Sequence, residues 1–174
     1  SCVILAADHV VREFTDDPIW LKGSGAGSDH LALHDRHSIT QMSATQKAVA
    51  QAYKSSGVAA RDIDLAEVHD CFTIAELMAT EDLGFANRGE GGLFARQGRG
   101  RRNEGDVAIN PSGGLKSKGH PLGATGTGQA VEIFKQLKGT VEAPRQIRDA
   151  EIGLTHNVGG SGATCAVHIF GRDR

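Results

Sequence analysis

Apolar positions along the chain repeat at two periods. At helical spacing, Ala48, Val49, Ala52 and Tyr53 form one stripe and Gly57 supplies a stop, predicting a helix from about Thr40 to Ser56. A second helix is predicted over Thr73 to Leu83. There Thr73 and Glu76 match a Ser/Thr-x-x-Glu capping box, Ile74, Leu77 and Met78 can face inward, and Gly84 follows the end. A third begins near Pro121, whose missing N–H suits the first helical position. Along it Ala130, Ile133, Phe134 and Leu137 recur at i, i+3, i+4 and i+7 before Gly139.

Short apolar runs predict strands at Asp64 to Val68, Val107 to Asn110, Ile152 to His156 and Thr164 to Phe170. Strands alternating with helices favour an α/β layered domain over a bundle or sandwich. The opening run "SCVILAADHV" also reads as a buried strand and, lacking an initial methionine, as a cut through a larger protein. The stretch Asn87 to Asp106, rich in Gly and Arg, reads as a long surface loop.

Composition narrows the function classes. The 174 residues suit one domain with a sizeable core, and 39% hydrophobic with 23% charged residues are globular values. A formal net charge of -2 argues against general nucleic-acid binding, which needs a basic excess to neutralise phosphates. The longest apolar run is too short to span a bilayer and no signal-peptide pattern is present, so a soluble cytoplasmic protein is expected. Three cysteines without CxxC spacing speak against a disulfide framework and a zinc ribbon, and fit a reducing compartment.

Chemistry concentrates in three stretches. In "EVHDCFTIAEL", Cys71 stands just before a predicted helix, whose N-terminal partial charge favours a thiolate, and His69 is a second polar group at the same strand end. Free cysteines are also commonly buried and inert, and residue types alone favour that reading. In "INPSGGLKSKGHPLGATGTG", a strand enters a glycine-rich turn with His120 at the cap of the third helix. Walker A fails there, since Gly119 is followed by His120 and Pro121, and the glycine spacing is wrong for a dinucleotide fingerprint. In "LTHNVGGSGATCAVHIF", two strand-like runs flank Gly159 to Gly162, a turn able to form an oxyanion-binding nest or simply a flexible hairpin tip. Ala163 breaks the Gly-x-Ser-x-Gly nucleophile elbow around Ser161, so a serine hydrolase is not expected.

Together these stretches resemble the C-terminal half of the thiolase superfamily. "NPSGGLKSKGHPLGATG" is similar to that family's glycine–histidine–proline block, and the order of strand, HDCF, long loop, GHP block and terminal hairpin matches over nearly the whole chain. HDCF resembles the sterol-carrier-protein-type and archaeal branch. The resemblance implies a thiolase-like layered C-terminal domain, a mixed sheet covered by helices, over residues 15–174, with 1–14 as a remnant of the preceding N-terminal domain. Other thiolases place an acid/base cysteine in a Cys-x-Gly motif where this chain has Asn157-Val158-Gly159.

By resemblance, Cys71 takes over the acid/base role and His69 helps bind a thioester oxygen. His120 supplies an oxyanion-hole donor, and Gly159 the backbone N–H of a second oxyanion hole; Cys165 is read as core. Claisen chemistry on a thioester moves a proton next to a carbonyl and develops charge on that oxygen, which suits a thiol, imidazoles and backbone N–H groups. The implied activity is that of an acetyl-CoA acetyltransferase or 3-ketoacyl-CoA thiolase, with coenzyme A thioesters as substrates, no covalently bound cofactor and no metal. The family's nucleophilic cysteine belongs to the other half and Cys2 does not match it, so the chain alone is expected to be inactive. Expected partners are the CoA ester, the missing N-terminal half and, when complete, further copies; nucleic acid and membrane are not expected. Arg96, Arg99, Arg101 and Arg102 are read chiefly as a solvated loop, with CoA phosphates or a partner protein as the other reading. Two further classes stay open: a non-catalytic assembly subunit or half of a two-chain complex, and a metal hydrolase using His69, Asp70, Cys71, His120 and His156.

Overall fold

A computed structural model describes residues 1–173. Five strands form one mixed sheet in the order β1-β5-β4-β2-β3: β1 Trp20–Ser28, β2 Leu65–Val68, β3 Ala108–Ile109, β4 Ile152–Gly159 and β5 Thr164–Gly171. β2 runs parallel to β3 and β4, whereas β5 is antiparallel to both β4 and β1. Five helices accompany it: α1 Ser43–Ser56, α2 Thr73–Asp82, α3 Gly91–Arg96, α4 Gly114–Lys118 and α5 Thr125–Leu137.

Alternation along the strands gives each sheet face its own core. Ala66, Val68, Leu154, Val167 and Ile169 pack with α1 and α2 on one face. Leu65 and Ala108 pack with Ile133 and Leu137 of α5 on the other. The layered α/β architecture with a mixed, helix-covered sheet therefore stands. Among the described residues no helix is long and apolar enough to cross a membrane.

The strand missed by hydrophobic patterning is β1, whose sequence "WLKGSGAGS" carries glycine at alternate positions. Its glycines are where α1 comes closest: a Cβ on Gly23, Gly25 or Gly27 would lie 2.4, 1.9 or 2.1 Å from the carbonyl oxygen of Ala52, Ala48 or Ala44. A helix row at i, i+4, i+8 thus lies on a strand row at i, i+2, i+4, and both rows must be small. Burial of backbone against backbone leaves no apolar alternation to read.

Four expectations need correction. The opening run pairs with no strand, and Ile4 is 89% exposed; the run lines a cleft with Trp20, Leu21 and Phe134 instead of joining the ladder. Thr73 is the first helical residue of α2 rather than its cap. Phe72 holds the cap position without a side-chain bond, while Glu76 accepts from Asn110 at 3.0 Å. Ile74 is exposed; Met78 packs against the core as expected, beside the buried Ala79, Thr80 and Asp82. Pro121 lies in a turn, its carbonyl accepting from Ala124 and Thr125, and α5 starts four residues later with Phe134 exposed. The stretch 87–106 is not an open loop: α3 buries Phe94, and Arg99 stacks over that ring while pairing with Asp106.

Gly25→Ala should destabilise the protein by about 1–3 kcal/mol or more through overpacking. Gly92→Ala, where a Cβ meets open space inside α3, should be neutral or stabilising by up to about 1 kcal/mol. Urea unfolding midpoints check the pair, and equal effects would contradict the close approach of α1 and β1.

Candidate active site

Parallel strands end on the same side of a sheet, and ligands of open α/β sheets collect outside those ends. β2 runs out into His69, Asp70 and Cys71, β3 into Asn110, and β4 through His156 into Asn157. Val68 pairs with His156, so the next residues along, His69 and Asn157, are also neighbours. His69 Nδ1 lies 2.8 Å from Asn157 Oδ1.

The second stretch is brought in by buried hydrogen bonds. Asp70, 2% exposed, accepts from the N–H groups of Leu115 at 2.7 Å and Lys116 at 3.3 Å at the start of α4. Gly114, at φ 64°, has no room for a side chain, since a Cβ would lie 2.3 Å from that carboxylate. Glu67 accepts from Ser112 N–H and Oγ and pairs with Lys118 at 3.4 Å. Burial nevertheless pushes its carboxyl above the ordinary range, partly offset by Lys118. Asn110 joins the set, accepting from Val68 N–H at 2.8 Å.

The turn after α4 places His120 edge to face against His69, with ring centroids 4.8 Å apart. His120 Nδ1 lies 2.8 Å from Thr125 Oγ1. The third stretch is the hairpin between β4 and β5, whose tip at Gly160–Gly162 holds Ser161 at φ 54°. Arg36 ties this tip in place, bonding the carbonyl oxygens of Ser161 at 2.8 Å and Gly160 at 3.4 Å.

Cys71, His69, His120 and Gly159 all line one cleft of about 820 Å³. Cys71 is half-buried and a free thiol. His69 is held below its ordinary pKa chiefly by burial, with Asn157 working in the opposite direction. A thiol, two imidazoles and a glycine-rich turn around an apolar cleft can move a proton and hold developing negative charge. The rim is apolar as well: Phe72 and Leu122 are 70% and 83% exposed.

Other candidates fall elsewhere. Cys165 is buried in β5, where burial raises its thiol to about 11. Cys2 is exposed and does not line the cleft, nor do Arg96, Arg99, Arg101 or Arg102. Of the set drawn up as metal ligands, His69, Cys71 and His120 share the cleft, while Asp70 is engaged by α4 and fully buried His156 is bonded to Thr45 at 2.9 Å. Among the described residues no three His, Cys, Asp or Glu side chains gather as ligands would.

Residue patterns did not single out the supports: Asp70 as the cap of a helix 45 positions away, Thr125, Arg36, and Asn157 as partner of His69. For Asn157 one signal existed, its place just after the expected strand Ile152 to His156 and shortly before the pair Gly159 and Gly160. The others act across sequence separations that no local spacing marks.

A family model described as "Thiolase C-terminal domain-like" matches residues 25–172. The chain is 51% identical to an acetyl-CoA acetyltransferase of Methanothermobacter thermautotrophicus over 172 residues, covering 99% of this chain and 44% of that protein. It is 36% identical to sterol carrier protein 2 of Oryctolagus cuniculus over 168 residues, covering 94% of this chain and 30% of that protein. Among solved structures, the Ltp2-ChsH2(DUF35) aldolase superposes with a TM-score of 0.82 at 26% identity, over 96% of this chain and 43% of that one. The chain thus spans less than half the length of these relatives.

His156 gives the fold a pH dependence with a definite sign. Burial holds its imidazole down to about 3, so the folded state keeps it neutral while the unfolded chain binds a proton below about 6.5. Its stabilising contribution is complete above that value and declines as pH falls toward 3, with a slope approaching ~1.4 kcal/mol per pH unit. Unfolding free energies measured between pH 7 and 4 should show that slope reduced in His156→Gln; an unchanged slope would contradict it.

Proposed function

The chain belongs to the thiolase C-terminal domain-like family, and on that premise we propose that it forms the acid/base and oxyanion-binding part of a complete thiolase. The substrates are coenzyme A thioesters, and the reaction is thiolysis of a 3-ketoacyl-CoA or the reverse condensation, as in an acetyl-CoA acetyltransferase. The observation carrying this reading is the convergence of Cys71, His69, His120 and Gly159, from three separate stretches, on one cleft.

In this reading a thioester enters with its carbonyl oxygen toward the paired imidazoles. Cys71 removes and returns the proton on the adjacent carbon, and the negative charge passing to oxygen is met by His120 and His69. Gly159 N–H serves a second carbonyl, that of the acyl group being transferred. The cysteine carrying that acyl group lies in the other part of the enzyme, in keeping with the absence of Cys2 from the cleft. Residues 1–14 are the end of the preceding domain, and the exposed Phe72 and Leu122 supply a face for a covering segment to bury.

The likeness to the Ltp2-ChsH2(DUF35) aldolase supports a second reading. Aldol cleavage of a 3-hydroxyacyl thioester removes the proton of the 3-hydroxyl, breaks the C2–C3 bond with charge passing to the thioester oxygen, and returns a proton to C2; it needs the same oxyanion binding but no acyl-enzyme. The two readings separate on whether the complete protein uses CoA as an acyl acceptor.

In the complete enzyme, Cys71→Ala and His120→Ala should each lower the rate of 3-ketoacyl-CoA thiolysis by about 10²–10⁴-fold. Near-full activity in either variant would remove its assigned role. The 174-residue polypeptide alone should not thiolyse acetoacetyl-CoA, and stoichiometric turnover by it would overturn the assignment of the nucleophile to another segment.

A further inference from the structure

The two imidazoles at the floor of the cleft have Nδ1 partners of opposite chemistry. An amide oxygen only accepts, so the 2.8 Å contact between His69 Nδ1 and Asn157 Oδ1 requires the proton on Nδ1. In the neutral ring Nε2 is then bare. His120 Nδ1 meets a hydroxyl, Thr125 Oγ1, also at 2.8 Å. That hydroxyl has one proton to give, to His120 Nδ1 at 2.8 Å or to the Pro121 carbonyl at 3.4 Å, and the shorter contact favours the imidazole, which leaves the His120 proton on Nε2. The Asn157 side chain packs against the first turn of α5. Its amide nitrogen fills the space beside Gly126, where a Cβ would lie 2.5 Å from it.

We propose that Asn157 is a positioning residue that fixes His69 in the Nδ1–H form, so that His69 Nε2 is the proton acceptor of the cleft while His120, set the opposite way by Thr125, is the donor. This rests on the reading of the cleft as a thioester-enolising site. His69 and Cys71 stand two residues apart at the end of β2 and line the same cleft. The Cys71 S–H bond breaks and an N–H bond forms at His69 Nε2, leaving a thiolate and an imidazolium. The thiolate then takes the proton from the carbon beside the thioester carbonyl. The C–H electron pair passes to the carbonyl oxygen, which His120 Nε2–H and the new His69 Nε2–H both meet. Reversal returns the proton from His69 to Cys71. His69 thus becomes an oxyanion donor only after it has accepted a proton.

The titratable groups around His69 agree with this division. His120 lies against its ring, Asp70 and Cys71 belong to its own segment, and β4 brings up Asn157 and the buried His156, whose imidazole His69 helps to hold neutral. Asp70 is occupied by the N–H groups of Leu115 and Lys116. Burial therefore outweighs the charges and leaves the resting ring neutral.

Long-range ¹H–¹⁵N NMR of the ¹⁵N-histidine-labelled chain, which needs no turnover, reads both rings. The expected result is a proton on Nδ1 of His69 and on Nε2 of His120. Asn157→Asp, nearly isosteric, should keep that form of His69 and raise its titration by about one pH unit or more; Asn157→Leu should release the ring toward Nε2–H. The same tautomer in both histidines, or Asn157→Asp leaving the His69 titration unmoved, would overturn the inference. If instead the tautomers are opposite but Cys71→Ala leaves the complete enzyme active, the enolising reading fails and the assignment of the two rings stands.

Discussion

The arrangement depends first on one buried carboxylate. Asp70 belongs to the segment that carries His69 and Cys71, yet both its oxygens are held by backbone N–H groups at the start of α4. A buried charge is costly unless fully hydrogen-bonded, so this end of β2 and the block leading to His120 cannot separate without stranding it. Gly114 follows from the same constraint, because the carboxylate occupies the space a side chain would need. Glu67 and Asn110 repeat the device to either side, binding Ser112 and Val68.

Once that staple is made, the sheet supplies the rest. Parallel pairing of β2 with β4 puts His69 beside Asn157, and the antiparallel return of β5 makes the hairpin tip that closes the cleft. The outer strand β1 closes onto α1 through glycine and alanine rows, which fixes the helix from which Thr45 reaches His156. Packing at this density transmits position, so the site inherits the precision of the core rather than that of its loops.

Much of the fold was legible because burial leaves a period. α1, with its stop at Gly57, and the four strands from β2 to β5 follow from apolar spacing to within about three residues at each end. Where burial is achieved by small residues the period vanishes, as in β1, and where an apolar run joins no ladder, as in Val3–Leu5, the period misleads. The supposed capping box of α2 failed for a related reason: Glu76 had a partner in Asn110, 34 residues away, that outbid the local backbone.

Local sequence alone determined the thiol at a strand end, the histidine–proline turn, the glycine-rich hairpin, and, through their order, the family to which they belong. It did so because these features lie within a few residues of one another and need particular residue types. Tertiary structure alone decided that the three stretches share one cleft, that His69 and His120 touch edge to face, and that Asn157 and Thr125 give them unlike partners. The decisive bonds span 45 residues from Asp70 to Leu115 and 88 from His69 to Asn157. Over such separations contact is set by sheet register and buried hydrogen bonding, which no local spacing encodes.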